Sequence, residues 1–241
     1  YTVVPQTTPA PPMAQEPPQE NSGETALQNN RSIQLRYEKN SLCDVLESME
    51  KISTEYPDVK GRLVIGGIMD EVVVQSRNTS YLSRNYRGSA SPGGSVYIVD
   101  DVDLRFPPEN IVLRASDSTP GKGFHSLWQY RDGGAAFAAA NAFATLTTLY
   151  EEENYVLFAV VVADADKAES GYFRFADRLS FKTDDEMMAF VSEAMSRSLY
   201  PFSVEVAPSD RLMTLGTVSG GADGQCIILM YRMLRDGEIA R

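Results

Sequence analysis

Apolar residues first recur at a regular spacing near residue 41. From there they fall at every third or fourth position, as on one face of an amphipathic helix: Leu42, Val45, Leu46, Met49 and Ile52. The sequence Tyr56-Pro57 follows, and a residue in front of proline avoids the helical conformation. The pattern therefore predicts a helix that begins near Ser41 and ends at Tyr56.

Beyond Gly61 the pattern changes to short segments rich in β-branched and aromatic residues, most of them bounded by Gly, Pro, Asn or Asp. The predicted strands are Arg62–Ile65, Val72–Gln75, Val96–Val99, Ile111–Leu113, Phe143–Leu149, Tyr155–Ala163, Tyr172–Phe175, Leu212–Val218 and Gln225–Leu234. Two stretches favour helices instead: Gly123–Ala142, and Asp184–Leu199 behind the capping box Thr183-x-x-Glu186. Many short strands and few helices predict a mainly β fold, a barrel or sandwich with helical insertions.

The first 40 residues lack this periodicity. Six of the 13 prolines fall within the first 20 positions, among Thr, Gln and Glu. Such a composition favours an extended, polyproline-like stalk, with a disordered tail as the alternative. The chain begins at Tyr1 rather than Met. We expect a protein exported from the cell and held at its surface by an N-terminal anchor that processing removed.

Charge and composition exclude several classes of function. The formal net charge is −11, so the chain repels phosphate backbones and nucleic-acid binding is not expected. With two cysteines and one histidine, a Cys/His zinc site is excluded, and no cofactor is indicated. Acidic stretches such as Asp100–Asp103, Glu151–Glu153 and Asp184–Glu186 lack the spacing of a calcium-binding EF-hand loop. They are interpreted as solvated loops and a helix N-terminus.

A series of short motifs runs through the strand-rich region in a fixed order. They are Tyr56–Gly61, Leu63–Asp70, Val73–Gln75, Asn78–Leu82, Gly94–Asp100, Phe124–Tyr130, Leu157–Val160 and Asp210–Thr217. Together they resemble the class B sortases, extracellular transpeptidases of Gram-positive bacteria that cut a sorting signal and attach proteins to the cell wall. The sequence departs from the family's opening motif at Arg62, where a tryptophan is usual, and lacks the proline that precedes Gly66.

The resemblance spans about residues 41–238 and implies a fold and a chemistry. The fold is a closed β-barrel of about eight strands with helices at the N-terminus and in the crossovers. Residues 1–40 are then a Pro-rich stalk, and residues 41–241 form the sortase-like domain. The family's reaction uses a thiolate that attacks the scissile carbonyl, a histidine that moves protons, and an arginine that steadies the oxyanion or substrate.

None of the three catalytic residue types stands at its expected place. The nucleophile directly follows the family's "TLxT" motif, where this chain has Val218. The family's "NxIIYGHN" lines up with Asn110–Ser116, and its Gly-His pair is matched to Arg114 and Ala115. The arginine opens the last strand, and its position is held by Cys226. The alignment therefore predicts that the catalytic positions are vacated.

The alternative to vacated catalytic positions is that the catalytic groups have moved to other residues. Cys226 is the one thiol of the barrel region and could be a displaced nucleophile, although a free cysteine also fills space as a small hydrophobic residue. A shorter preceding loop would match the arginine position to Gln225 instead. Ser219 follows Val218, but adjacent strand residues point to opposite faces, so it is expected to face away from the groove. His125, the one histidine, is interpreted as a surface or helix-cap residue.

The leading hypothesis is a catalytically inactive, sortase-like peptide-binding or scaffolding module on a Gram-positive cell surface. The resemblance makes the strand of Thr214 and Thr217 a wall of the peptide groove, with Cys226 beside it. Arg114 could pair with a ligand's carboxylate or could be only a solvated charge. The expected partners are a sorting-signal-like peptide, a surface protein or an active sortase. The competing hypothesis is an active cysteine transpeptidase or peptidase that uses Cys226.

Overall fold

The structure, a computed structural model, describes residues 44–77, 79–218 and 224–240. Its elements are helix α1 (Glu47–Glu55), strands β1 (Val59–Ile65), β2 (Met69–Val74), β3 (Val96–Ile98) and β4 (Asn110–Ala115), a 3₁₀ turn (His125–Trp128), helices α2 (Gln129–Asp132) and α3 (Gly134–Ala140), strands β5 (Phe143–Thr148) and β6 (Glu152–Asp164), helix α4 (Asp184–Arg197), and strands β7 (Leu212–Thr217) and β8 (Gln225–Met233). The predicted stalk lies outside the described residues.

The eight strands close into a barrel in the order β1-β2-β3-β4-β7-β8-β6-β5. Strand β4 runs parallel to β7, whereas β7 pairs with β8 and β8 with β6 in antiparallel fashion. Closure removes free sheet edges, which are sites of unwanted pairing in β proteins. The predicted mainly β fold with a closed barrel of eight strands is confirmed.

Successive residues of the barrel strands point to opposite faces of the sheet, and each face carries a hydrophobic core. One set fills the barrel interior, including Leu113 and Ala115 of β4, Leu215 of β7, and Ile227 and Leu229 of β8. The alternate set lies on the outer face of the same strands, under α4 and the crossover that precedes it: Val112, Leu212, Cys226, Ile228 and Met230. Strands buried on both faces read as nearly continuous apolar runs, which explains the apolar sequence of β6 and β8.

The helices agree with the sequence prediction at α4 and differ from it at residues 123–142. Thr183 caps α4, its hydroxyl accepting a hydrogen bond from the Glu186 backbone N–H at 3.2 Å, as the capping box predicts. The predicted single helix over 123–142 is wrong, since a 3₁₀ turn and two short helices replace it. Gly134 separates the two helices with a φ of 74°, a conformation that ends a regular helix.

The predicted strand Tyr172–Phe175 is also wrong, because only one isolated bridge, between Tyr172 and Asp164, forms there. The Phe175 N–H bonds the Phe173 carbonyl in a tight turn, and both rings are buried against the outer face of the barrel. The predicted apolar burial of this segment is present, but its pairing with the end of β6 does not extend beyond the single bridge. Among the described residues, no helix has the length and apolarity required to cross a membrane.

Candidate functional site

The ends of β4 and β7 bring the first two family positions together. Arg114 pairs with Gly216 and Ala115 with Thr217, and the Val218 N–H donates to the Ala115 carbonyl at 3.0 Å. The sequence resemblance matched the histidine to Ala115 and the nucleophile to Val218, and the backbones of these two residues are in direct contact. Their side chains, however, do not share a face.

Ala115 is fully buried in the barrel interior, with Leu113 and Leu215. A side chain at position 115 cannot reach the outer face of the sheet, where Arg114 and Val218 lie. Because successive strand residues alternate between faces, Ser116 takes the outer orientation. An ungapped count of "NxIIYGHN" from Asn110 also places the histidine letter on Ser116. The match to Ala115 is therefore corrected by one residue, to Ser116.

The third family position, matched to Cys226, lies on the same outer face of the sheet. Gly216 of β7 pairs with Ile228 of β8, the last pair of this antiparallel register, and continuing the register by two residues places Cys226 opposite Val218, just past the end of β7. Cys226 packs in the outer core with Ile228 and Phe175. The three family positions thus form one cross-strand row, Ser116, Val218 and Cys226, which we call the outer row. The row contains a hydroxyl, an isopropyl group and a thiol, with no imidazole and no guanidinium.

The thiol of the outer row is a poor nucleophile. Cys226 is 4% exposed, and burial raises the pKa of its thiol to about 11, although the Arg114 charge opposes this shift. A cysteine nucleophile reacts as the thiolate, so its pKa must lie near or below the working pH. The serine of the row, Ser116, has its hydroxyl oxygen 2.8 Å from that of Ser118.

A side chain of the β6–β7 crossover covers the strands next to the row. The Phe175 ring is 2% exposed and lies directly on Gly216, where an added Cβ would come within 2.2 Å of the ring. Gly216 stands where the family's "TLST" motif has serine, so the missing side chain is what admits the ring. The Arg114 guanidinium carbon lies 5.6 Å from the centre of the same ring, within the range of a cation–π contact.

Arg114 is the charged group of this face. Its Nη2 donates to the Thr217 carbonyl at 3.2 Å, and its buried Nε has no hydrogen-bond partner. Tyr97 pairs with Arg114 across β3 and β4. Burial raises the pKa of the Tyr97 hydroxyl, and the Arg114 charge acts against that shift. The guanidinium thus packs on the Phe175 ring, beside the cross-strand neighbour Tyr97, with its Nε donor unpaired.

The two threonines of β7 are buried inside the sheet. Thr214 donates its hydroxyl to the Asn110 side-chain oxygen at 2.9 Å, and the Thr217 hydroxyl accepts from the Ile227 N–H at 3.1 Å. Both side chains have no exposed surface. Of the four groove candidates, only Arg114 is partly exposed; Thr214, Thr217 and Cys226 are positioned to support the strands rather than to touch a ligand.

A cavity adjoins Arg114 through its neighbour Tyr97. It has a volume of about 410 Å³ and lies between β3 and the segments that follow β2 and β3. Its walls include Tyr81, Leu82, Tyr97, Ile98 and Asp100. We call it the β3 cavity. The sequence motifs Asn78–Leu82 and Gly94–Asp100 contribute these residues, but sequence alone gave no sign that they enclose a space.

His125 lies apart from the outer row's thiol. Its Nδ1 is 2.8 Å from the Asp117 carbonyl oxygen, beyond the end of β4, and the indole N–H of Trp128 donates to the Asp117 carboxylate at 2.9 Å. These contacts fasten the 3₁₀ turn to the loop after β4; His125 is the first residue of that turn, whose N-cap position is Phe124, so its side chain does not act as the cap. Ser219 lies outside the described residues. Within the described ranges, no three acidic, Cys or His side chains converge as a metal site requires.

Several solved structures have a fold similar to that of this chain. The chain superposes on a Staphylococcus aureus sortase B–substrate complex with a TM-score of 0.70 and 17% identity, over 89% of this chain and 95% of that one. A Bacillus anthracis sortase B in complex with AAEK2 gives a TM-score of 0.70 and 22% identity, over 86% and 97%. Clostridium perfringens sortase B gives 0.66 and 21%, over 77% and 99%. No family model and no curated protein matches the sequence. The chain has a class B sortase-like fold.

Proposed function

Since the barrel has the fold of the class B sortases, we propose that this protein is a catalytically inactive sortase-like module that binds an extended peptide at the cell surface. The observation that carries the proposal is the composition of the outer row. A sortase-type reaction needs a base, a thiolate and a cation on this face. Ser116, Val218 and Cys226 supply none of these at neutral pH.

The proposed peptide site is the β3 cavity together with the exposed part of Arg114. Tyr81, Leu82 and Tyr97 offer apolar surface for side chains, and Asp100 offers a hydrogen-bond acceptor. The free donor capacity of Arg114 suits a carboxylate of the ligand. Binding at this site does not need Phe175 to leave Gly216, so the covered part of β7 can stay closed. That a similar structure, the S. aureus sortase B, is known as a substrate complex supports a ligand-binding role for this fold.

The competing function, a peptidase or transpeptidase that uses Cys226, has less support. Cys226 is buried and its pKa is raised to about 11, so the thiol is almost entirely protonated near neutral pH. The Nδ1 of His125 contacts the Asp117 carbonyl, and no hydrogen bond among the described residues joins His125 to Cys226. An enzyme of this type would need the Cys226 thiol exposed and a base brought next to it before the first chemical step.

The location and the partners are also part of the proposal. An extracellular position at a Gram-positive cell surface fits the sortase-like fold and the Pro-rich first 40 residues. The partner is proposed to be a sorting-signal-like peptide, free or within a surface protein, with an active sortase as the second candidate. The proposal includes no nucleic-acid partner and no cofactor.

A binding experiment with a panel of sorting-signal peptides tests the proposal. We expect titration calorimetry to detect binding without cleavage, and Arg114→Gln to weaken it at least about tenfold because a charge-assisted contact is lost. Arg62→Gln is the matched control, since Arg62 is an exposed cation on β1 that pairs with Asp70. Equal affinity of the wild type and Arg114→Gln, or binding by neither, would contradict the proposed site.

A further inference from the structure

A second cleft lies on the other side of Tyr81 from the β3 cavity. It has a volume of about 600 Å³ and is bounded by the end of α1 and by residues 79–88. Its walls include Tyr56, Asp58, Tyr81, Arg84, Tyr86 and Arg87. We call it the tyrosine cleft. Neither the outer row nor Arg114 contributes to it, although Thr79, Ser80 and Tyr81 line both spaces, so the arginines distinguish a ligand of this cleft from one of the β3 cavity.

Two tyrosines and one arginine form the centre of the cleft. The rings of Tyr56 and Tyr86 meet edge to face, with centroids 5.3 Å apart and planes at 89°. The Arg87 guanidinium carbon lies 6.0 Å from one ring centre and 5.3 Å from the other, and its Nε donates to the Tyr86 hydroxyl at 3.0 Å. The two remaining guanidinium nitrogens make no hydrogen bond to another described residue.

The loop that carries the arginines is held in place by its own hydrogen bonds. The Asn85 side-chain oxygen accepts from the N–H groups of Arg87 and Ser89 at 3.0 and 3.1 Å. Arg84 donates to the Gly88 carbonyl at 2.8 Å, and its own carbonyl accepts from the Ser95 hydroxyl at 3.0 Å. The arginines are therefore presented from a folded turn, which lowers the entropy cost of binding a ligand.

The charges around the cleft distinguish it from the rest of the molecule. Thirteen arginines lie in the described ranges, and all but Arg84, Arg87 and Arg114 form an ion pair with a described carboxylate. Two of these three unpaired guanidinium groups face the tyrosine cleft. In a chain with a net charge of −11, carboxylates are abundant, so two neighbouring unpaired arginines indicate a binding site for an external anion.

The acidic residues of the cleft restrict which anion fits. Glu55 and Asp58 also line it, so its formal charge balances. Asp58 already accepts the Tyr81 hydroxyl at 2.8 Å; burial, with this hydrogen bond added, raises the pKa of Tyr81 to about 12. A polyanion would meet these carboxylates and the negative field of the whole chain. A ligand with a single carboxylate and a neighbouring apolar side chain is better matched: the carboxylate faces Arg84 and Arg87, and the apolar side chain faces the rings of Tyr56 and Tyr86.

We propose that the tyrosine cleft binds an extended peptide segment of another protein through one acidic side chain. The carboxylate contacts Arg84 and Arg87, and a neighbouring proline or aromatic residue of the peptide packs on Tyr56 and Tyr86. Aromatic-lined grooves recognise extended Pro-rich segments because these lose little conformational entropy on binding. The protein then offers two peptide-binding surfaces, on either side of Tyr81.

A matched pair of peptides tests this proposal on the full chain. The probes are acetyl-Ser-Pro-Tyr-Glu-Pro-Ser-amide and the same peptide with Gln in place of Glu, followed by NMR titration of the protein. We expect the Glu peptide to shift the Tyr56, Tyr86 and Arg87 side-chain resonances and to bind at least about tenfold more tightly than the Gln peptide. Equal affinities, or no shift of these resonances at millimolar peptide, would overturn the proposal.

Variants and a competitor separate this surface from the peptide site at Arg114. Replacing both cleft arginines (Arg84→Gln with Arg87→Gln) should abolish the preference for Glu over Gln, whereas Arg62→Gln and Arg114→Gln should leave it intact. Loss of the preference in Arg114→Gln would overturn the assignment to the tyrosine cleft. Inorganic phosphate is the competitor: displacement of the Glu peptide at an equal concentration would show a general anion site and overturn the peptide proposal.

Discussion

The outer row and the tyrosine cleft lie on one barrel but differ in almost every physical respect. The thiol of the row and the strand beside it are covered: Phe175 lies on Gly216, and Cys226 is buried in the same outer core, whereas Ser116 and Val218 stay partly exposed. The cleft is open, and its two arginines have no carboxylate partner among the described residues. On the outer face, Arg114 is the charged group with an unpaired donor, whereas the tyrosine cleft presents two arginines without a carboxylate partner among the described residues.

The largest effect is expected from removing the ring that covers β7. Phe175→Ala should lower the free energy of unfolding by about 3–5 kcal/mol, since a buried aromatic side chain is lost from the outer core. Chemical denaturation measures this change. Phe106→Ala is the control because the Phe106 side chain is 79% exposed, and it should cost less than about 0.5 kcal/mol. A similar small cost at Phe175 would show that the row is not covered as described.

A buried hydrogen bond of β7 gives the next largest effect. Thr217→Val keeps the side-chain shape but leaves the Ile227 N–H without its acceptor, which should cost about 1–3 kcal/mol. Thr145→Val is the matched control, because the Thr145 hydroxyl donates to Asn154 at an exposed position of β5. Equal stability of Thr217→Val and the wild type would argue that Thr217 faces a ligand site rather than the interior.

The pH dependence of thiol alkylation tests whether the outer row can act as a nucleophile. In a Cys43→Ser background Cys226 is the remaining thiol, and its raised pKa means that only about one thiol in a thousand is ionised at pH 8. We expect the alkylation rate to rise about tenfold per pH unit up to about pH 11. A rate that levels off near pH 7 would show an activated cysteine.

The smallest effect on stability is expected in the tyrosine cleft. Because Arg84 and Arg87 are exposed and make no ion pair with a described residue, replacing both with glutamine removes only the Arg84–Gly88 hydrogen bond and the Arg87 contacts with the tyrosines. The midpoint of thermal unfolding should fall only slightly, with a loss of less than about 1 kcal/mol of stability. The same double variant is expected to lose carboxylate binding, so function and stability separate at this surface. A clear drop in the midpoint would show that the arginines hold the loop together instead.

Much of the fold can be predicted from the sequence because the alternation of apolar and polar residues shows which strand positions are buried. Eight predicted strands became the barrel, and the Thr183 cap predicted the start of α4. The Tyr172–Phe175 segment was misread since apolar alternation reports burial, whereas a strand also needs a neighbour with free hydrogen-bonding groups. The split at Gly134 depends on a backbone conformation that a run of alanines conceals.

The candidate site was predicted less completely than the fold. The histidine position was displaced by one residue, an error that reverses the face of the side chain; an ungapped count of the motif and the packing of Ala115 both favour Ser116. Phe175 and Gly216 were missed because their contact joins distant parts of the chain. For the tyrosine cleft, the alternation of Tyr and Arg residues within Tyr81–Arg87 was a weak indication in the sequence. That Arg84 and Arg87 have no carboxylate partner among the described residues could be seen only in three dimensions.

The central claim is that the outer row has lost its chemistry while the barrel around it persists. The most direct test measures cleavage of sorting-signal peptides by the wild type, by Cys226→Ala, and by a variant that rebuilds the row (Ser116→His, Val218→Cys and Cys226→Arg). We predict no turnover by the wild type or by Cys226→Ala, so that any activity comes from the rebuilt row. Turnover by the wild type that disappears in Cys226→Ala would contradict the account.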